Sequence, residues 1–388
     1  MWRHIASNAI TMLIVLLFLG GGVILWGKGQ YENAGPLETA ICLEVPSGTN
    51  MRRVSESLSA QGAVSSPAIF RIGSDYAGKT GQLKAGNFLV PPDASMEEIV
   101  DIVTRGGAST CGTEIVYRIG VSRLTVQLRE LNPETSRFEE LAEFTPSADE
   151  VPAVYDDRKQ ESGTRFRITV AEGVTSWQIA ESLKAIDVMA GDIVDVPPEG
   201  SLAPESYAIR QGSDRAELLD EMRSIQEERV AAVWQSRVED LPIETPEELL
   251  ILASIIEKET AEAEERGVVS SVFVNRLNRG MRLQTDPTVI YGVTEGRGIL
   301  GRGLRRSELR AATPWNTYVI EGLPPTPIAN PGLASLEAAA QPDATDYVFF
   351  VADGTGGHAF ATTLAEHNRN VAVWRRIEAE RNAASADN

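Results

Sequence analysis

"LLILASIIEKET", residues 249–260, is an apolar run at helical spacing that ends in two glutamates around a lysine. Upstream, Thr245, Pro246 and Glu248 supply an N-cap, a first-turn proline and a capping-box acid, which fixes the start of the helix and so its phase. At about 100° per residue, Leu252, Ile255 and Ile256 fall within about 60° of Glu259, while Glu257 points about 200° away, beside Leu250, Ala253 and Ser254. Glu259 therefore continues an apolar stripe. A carboxyl group in that position loses solvation, which raises its pKa toward the range where it can hold and donate a proton near neutrality. Taken by itself, the helix favours an ordinary buried ion pair, with Arg266 as the cation at helical spacing.

Outward from this helix, 388 residues leave room for two or three domains, and 43% hydrophobic residues describe a chain able to bury a core. A formal net charge of -19, with no basic patch, argues against a nucleic-acid partner. The first thirty residues differ in texture. No charge occurs from Ile5 to Gly27, and Ala9 to Gly27 is apolar or small throughout, long enough to cross a hydrocarbon core of roughly 30 Å. A cleaved signal would be shorter and end in a small-x-small site, whereas this stretch continues through Ile24, Leu25 and Trp26, so an uncleaved anchor is expected. Arg3 favours a cytoplasmic start, weakly opposed by Lys28. Cys42 and Cys111 are the only cysteines; outside the cytoplasm they can pair across one small domain, or stay as two inert thiols.

An internal repeat organises the middle of the chain. "LEVPSGTNMRRVSESLSAQGAV" from Leu43 sets Val45, Gly48, Val54 and Leu58 against Val170, Gly173, Ile179 and Leu183 of "ITVAEGVTSWQIAESLKAIDVM" from Ile168. The second half recurs too, with Phe88, Ile99 and Val103 opposite Tyr207, Leu218 and Met222. Each copy reads as strand, Gly turn and amphipathic helix. Between the copies, "TEIVYRIG" and "RLTVQLREL" are strand-like, and the acidic "FTPSADEVPAVYDDRKQESG" reads as loop. From Ala216 the pattern turns helical.

Four segments in order, "LASIIEKET", "SSVFVNRLNRGMRLQTDPTVIYG", "ATPWNTYVIEGLPPTPIANPG" and "YVFFVADGTGGHAFATTLAEHN", resemble the MltG/YceG-like family of membrane-anchored endolytic murein transglycosylases. The resemblance implies an α+β protein. It comprises an N-terminal transmembrane helix (1–30), LysM-like α/β modules at 40–112 and 166–225, an insert or linker at 113–165 that is longer than the family usually has, and a mainly helical lysozyme-like catalytic domain at 226–388 with a small β element. The family's catalytic glutamate falls on Glu259, in agreement with the helical phase, and its Glu-Thr pair looks like the Glu-Ser pair that ends the catalytic helix of lysozyme-like lytic transglycosylases. Glu257 is expected to orient the helix end or a sugar hydroxyl, or simply to hold a buried hydrogen bond.

The implied substrate is peptidoglycan, cut after N-acetylmuramic acid. One acid suffices, because the substrate's own 6-hydroxyl attacks C1 and closes a 1,6-anhydro ring. Gln284 and Thr285 are candidate contacts for acetamido or hydroxyl groups, Asp286 a candidate second carboxylate or a turn residue, and Tyr291, Trp315 and Tyr318 candidate stacking platforms or core. Asn316 and Asn330 are polar candidates with turn capping as the alternative. His358, Glu366 and His367 lack a convincing third ligand, so neither metal nor cofactor is expected. The resemblance further implies the cell inner membrane, with the amino terminus cytoplasmic and the catalytic domain periplasmic, and penicillin-binding proteins as partners. A non-catalytic peptidoglycan-binding scaffold and a hydrolytic muramidase stay open.

Overall fold

In a computed structural model of the chain, residues 2–105, 110–161 and 163–386 are described, 2–9 and 382–386 as backbone alone. Positions 106–109 of the first α/β segment, Ser162 of the acidic stretch and the side chain of Arg3 lie outside the described residues.

Helix α1 (Trp2–Glu32) runs unbroken, and its Ile10–Glu32 portion is a candidate single membrane span of 23 residues with mean hydropathy 2.4. Its apolar stretch is uncovered, with Phe18 80% exposed and Leu25 72%, and only near its C-terminal end does Tyr31 pack against the core of the first unit. A core helix would bury such residues, so this helix needs an apolar environment that the protein does not itself provide.

The chain divides into two compact units. The first comprises Met1–Val116, Val126–Phe144 and Asp149–Phe166. Here β1 (Ile41–Val45), α2 (Met51–Ala60), α3 (Pro67–Tyr76), β2 (Gly86–Val90) and α4 (Met96–Thr104) enclose a core of Leu43, Val54, Leu58, Phe70, Phe88, Ile99 and Val103. β1 and β2 pair antiparallel, with Ile41 opposite Val90 and Val45 opposite Gly86. Cys42 and Cys111 form a disulfide with their Cα atoms 5.8 Å apart.

Further along the chain lie β3 (Gly112–Ile119), β4 (Leu124–Asn132), β5 (Arg137–Phe144), α5 (Ala153–Arg158), β6 (Arg165–Val170), α6 (Ser176–Lys184), β7 (Ser206–Ile209) and α7 (Arg215–Gln235). The strands line up in the order β5-β4-β3-β6-β7. The stretch expected as two strands and a linker thus holds a third strand, β5, antiparallel to β4, and a short helix, α5, whose Tyr155 sits edge-on to Phe144 at 5.2 Å. β5 hid from the sequence because it is an edge strand. Of its residues only Phe144 is buried, and Arg137, Glu139, Glu140 and Glu143 carry the charge that edge strands use to resist pairing, so no alternation is visible.

The repeat survives in the backbone. Gly48 and Gly173 both adopt φ +76°, a left-handed conformation open to glycine. Asn50 and Thr175 cap α2 and α6, and Ser95 and Asp214 cap α4 and α7. The first copy carries an additional helix, α3, where the second runs from α6 to β7 without one.

The second unit comprises Tyr117–Thr125, Thr145–Ala148 and Arg167–Asn388. Its helical part contains α8 (Pro246–Glu259), α9 (Arg266–Asn278), α10 (Asp286–Thr294) and α11 (Leu333–Ala340), then the hairpin β8 (Phe349–Ala352) and β9 (His358–Ala361), then α12 (Leu364–Ala386). Leu249, Leu252, Ile255, Ile256, Val269, Phe273, Leu283, Ile328 and Leu336 form its core. Helix α8 is buried almost all round rather than along one stripe, since Ala253 and Ser254 on the opposite side are also sealed and Ser254 Oγ accepts a 3.0 Å bond from Ile328 N.

Candidate active site

Helix α8 starts where its caps dictate: Thr245 Oγ1 accepts from Glu248 N at 3.2 Å. Glu248 reaches one residue beyond the capping box, accepting from Glu244 N at 2.6 Å. The helix stops after Glu259, because Thr260 turns to an extended conformation and its hydroxyl accepts from Glu262 N at 3.0 Å. That stop puts Glu259 at the negative end of the helix dipole, where a carboxylate is disfavoured.

The Glu259 side chain is half-buried, and its Oε1 accepts a hydrogen bond from the Thr285 hydroxyl. Its pKa is pushed above the ordinary carboxyl value, first by burial and then by the nearby Asp286 charge; the Thr285 hydrogen bond, His358 and Arg276 pull the other way. The net direction is that of an acid which keeps its proton. Thr285 precedes α10, and Asp286 opens it; Asp286 Oδ1 accepts from the Tyr318 hydroxyl at 2.7 Å. Gln284, exposed and in the left-handed region at φ +49°, makes the sharp bend that delivers Thr285 to Glu259.

Arg276 on α9 is buried and donates to Val348 O at 2.6 Å and Leu283 O at 2.5 Å. Burial lowers its pKa while the Tyr318 and Glu259 groups raise it. His358 on β9 is gripped by Glu265, whose two carboxylate oxygens take its backbone N–H and its Nδ1, each at 2.8 Å. Neither Arg276 nor Glu265 was singled out by sequence. Arg276 was findable, since a lone arginine in register with Val269 and Phe273 on an apolar helix face is unusual.

The remaining candidates divide. Glu257 leaves the opposite side of α8, where its Oε2 accepts from Gly332 N at 3.0 Å, and Lys258 Nζ donates to Gly173 O at 3.1 Å. Arg266 does not partner Glu259: α8 ends before it and α9 begins with it, so helical spacing is not carried across. Among the described residues Arg266 makes no ion pair; its charge bears on Glu172, whose pKa burial and the Glu257 charge raise and Arg266 lowers. Asn316 and Asn330, offered as sugar contacts, are both fully buried and spent on backbone. Asn316 ties Ala311 O at 2.7 Å and Tyr318 N at 3.0 Å, and Asn330 ties Val174 O at 2.9 Å and Leu202 N at 2.8 Å. Tyr291 donates to Glu199 Oε2 at 3.1 Å and meets Trp315 edge-on at 5.4 Å. His367 stacks on Phe349 at 5.1 Å, away from the Glu265–His358 pair, and no group of three or more metal-type ligands occurs among the described residues.

The sequence profile of the YceG-like family matches residues 43–373, which spans both α/β repeats and the whole of this site. The chain belongs to the YceG-like family. It is 30% identical over 355 residues to a Bacillus subtilis protein named endolytic murein transglycosylase, covering 90% of this chain and 89% of that one. A Streptococcus pneumoniae protein of the same name is 27% identical over 95% of this chain, which spans 65% of that relative's length. A crystal structure of a YceG-like protein from Listeria monocytogenes aligns at 25% identity over 86% of this chain and 99% of that chain, with a TM-score of 0.45. Within this family chain, Glu259, Thr285, Asp286 and Tyr318 come together, and Gln284 flanks them.

Proposed function

We propose that this chain is a membrane-anchored lytic transglycosylase that cleaves peptidoglycan strands internally at the bond following N-acetylmuramic acid. The observation that carries the reading is the Glu259 carboxyl: a single acid at the end of a buried helix, its pKa raised by desolvation, on a residue that is only half-buried. The relatives named endolytic murein transglycosylase supply the substrate class.

In the proposed reaction Glu259 gives its proton to the glycosidic oxygen as the C1–O bond breaks, with the bonding electrons leaving on that oxygen. The 6-hydroxyl of the same muramic residue then bonds to C1 and returns its proton to Glu259, closing the 1,6-anhydro ring. No water is consumed, and the nucleophile arrives already tethered. The substrate's acetamido group supports the oxocarbenium-like centre. The LysM-like reading of the two α/β segments, which would hold glycan, belongs to the same proposal and is supported by their shared Gly turn and caps. So do termination of newly made strands, a periplasmic active site and association with penicillin-binding proteins.

The test is product analysis. Full-length protein in detergent is incubated with purified glycan strands, and ends are weighed by mass spectrometry: anhydro ends are expected, one water lighter than reducing ends. Reducing ends would instead make this a hydrolase with Asp286, beside Glu259, as second carboxylate.

A further inference from the structure

The Thr285 hydroxyl is 2% exposed as part of its residue, and among the described residues its one partner is Glu259 Oε1. A hydroxyl with one partner can donate or accept there. If it accepted the Glu259 proton, its own hydrogen would be buried without an acceptor, which is the costlier arrangement. Thr285 therefore donates, and the Glu259 proton resides on the other oxygen, Oε2.

What holds Thr285 in that orientation is a closed circuit of hydroxyls. Thr285 N donates to Thr317 Oγ1 at 3.0 Å, Thr317 and Thr288 share a 2.8 Å hydrogen bond, and Thr288 Oγ1 donates to Thr285 O at 2.7 Å. Thr288 Oγ1 lies 2.7 Å from the Thr285 carbonyl oxygen and Thr317 Oγ1 3.5 Å, so Thr288 spends its hydrogen there and Thr317 donates in the shared bond. Every hydroxyl in the circuit has one direction, and both backbone groups of Thr285 are clamped. Thr288 and Thr317 are fully buried, so water offers no substitute. Thr317 comes from the segment after α10, carried in place by the Asn316 clasp.

We propose that Thr317 and Thr288 are positioning residues for the reaction, and that this circuit dedicates the Thr285 hydroxyl to Glu259 Oε1 and so selects Oε2 as the oxygen that protonates the leaving sugar. The inference rests on Glu259 being the acid. The charged groups that bear on Glu259 are Asp286 on α10, Arg276 on α9 and His358 on β9, and none belongs to the circuit.

The test uses full-length protein in detergent, with kcat and KM for anhydro-end release followed across pH. Thr317→Val removes the hydroxyl at nearly constant shape. The expected result is a fall in kcat of about 10-fold or more with KM little changed, and a basic limb moved upward by about one pH unit, because a donor that stabilised the carboxylate is no longer aimed. Thr317→Ser, which keeps the hydroxyl, should recover the lost activity and the original limb. If Thr317→Val fails to fold, Thr285→Val carries the test: it keeps the backbone circuit and removes only the hydroxyl aimed at Glu259, and the same upward move is expected. A folded Thr317→Val, or failing that Thr285→Val, with the wild-type limb and kcat overturns the inference. Anhydro products from Glu259→Gln at the wild-type rate would sink the underlying reading instead, so the two failures are distinguishable.

Discussion

Replacing Glu259 by Gln separates what the side chain does for catalysis from what it costs the fold. The carboxamide oxygen can still accept from Thr285, so the local geometry is kept and only the ionisable proton is lost. Removing a general acid lowers the rate by about 10²–10⁴-fold, which at about 1.4 kcal/mol per decade is roughly 3–5 kcal/mol of barrier. Stability should move the other way. The folded-state pKa of Glu259 lies above its ordinary value of 4.5, so the native state holds this proton more tightly than the unfolded chain does. Wild-type stability contributed by this group is fully present below that ordinary value and is lost as pH rises through the folded pKa. Glu259→Gln feels none of this loss. Thermal unfolding of the full chain in detergent should therefore show the variant gaining on the wild type from about pH 4.5 upward, by about 1.4 kcal/mol per pH unit until the gap levels at the folded pKa. A gap that stays flat from pH 4 to 8, or that shrinks, refutes the claim that desolvation arms this acid.

Three other perturbations address neighbouring features. Arg276→Met leaves the Val348 and Leu283 carbonyls without their donor, which should cost about 1–3 kcal/mol, and it removes a positive charge that holds Glu259 down, so the basic limb of activity should move up in pH; an unchanged limb in a folded variant counts against it. Asn330→Ala strands the buried Leu202 N–H, and unfolding measurements should register a loss of about 2–4 kcal/mol. Reducing the Cys42–Cys111 disulfide, or changing both to Ser, opens a loop closed across a sequence separation of 69 and should lower the stability of the first unit by roughly 2–5 kcal/mol; an unfolding transition indifferent to reductant contradicts this.

Much of this architecture was legible because local signals and global packing agreed. The caps of α8 fixed its phase, the repeat fixed two Gly turns and the caps that follow them, and unbroken apolarity marked α1. What stayed hidden needed the third dimension. β5 carries an edge strand's charges and so lacks alternation. The extrapolation to Arg266 failed because periodicity cannot announce that a helix ends three residues past its last apolar residue, Ile256. At the site, sequence supplied residue types without directions. Thr285, a candidate sugar contact, faces Glu259, while Asn316 and Asn330, polar candidates with turn capping as the alternative, bond backbone. Polar residues in long motifs invite a ligand reading, yet buried amides and hydroxyls are drawn first to the nearest unpaired peptide group.

The Gly173 turn gives the two repeats different fates. Around Gly48 an added methyl would meet open space, and only the left-handed backbone itself holds that position to glycine. Around Gly173, Lys258 holds the carbonyl, Asn330 holds the amide and the next carbonyl, and Thr175 bonds Gly296 O at 2.6 Å. A truncated chain starting at residue 226 would strip those acceptors and donors from the loops around α8 and α10. One copy of the repeat thus doubles as scaffolding for the proposed active site, and protein engineers who want a minimal enzyme will have to keep it.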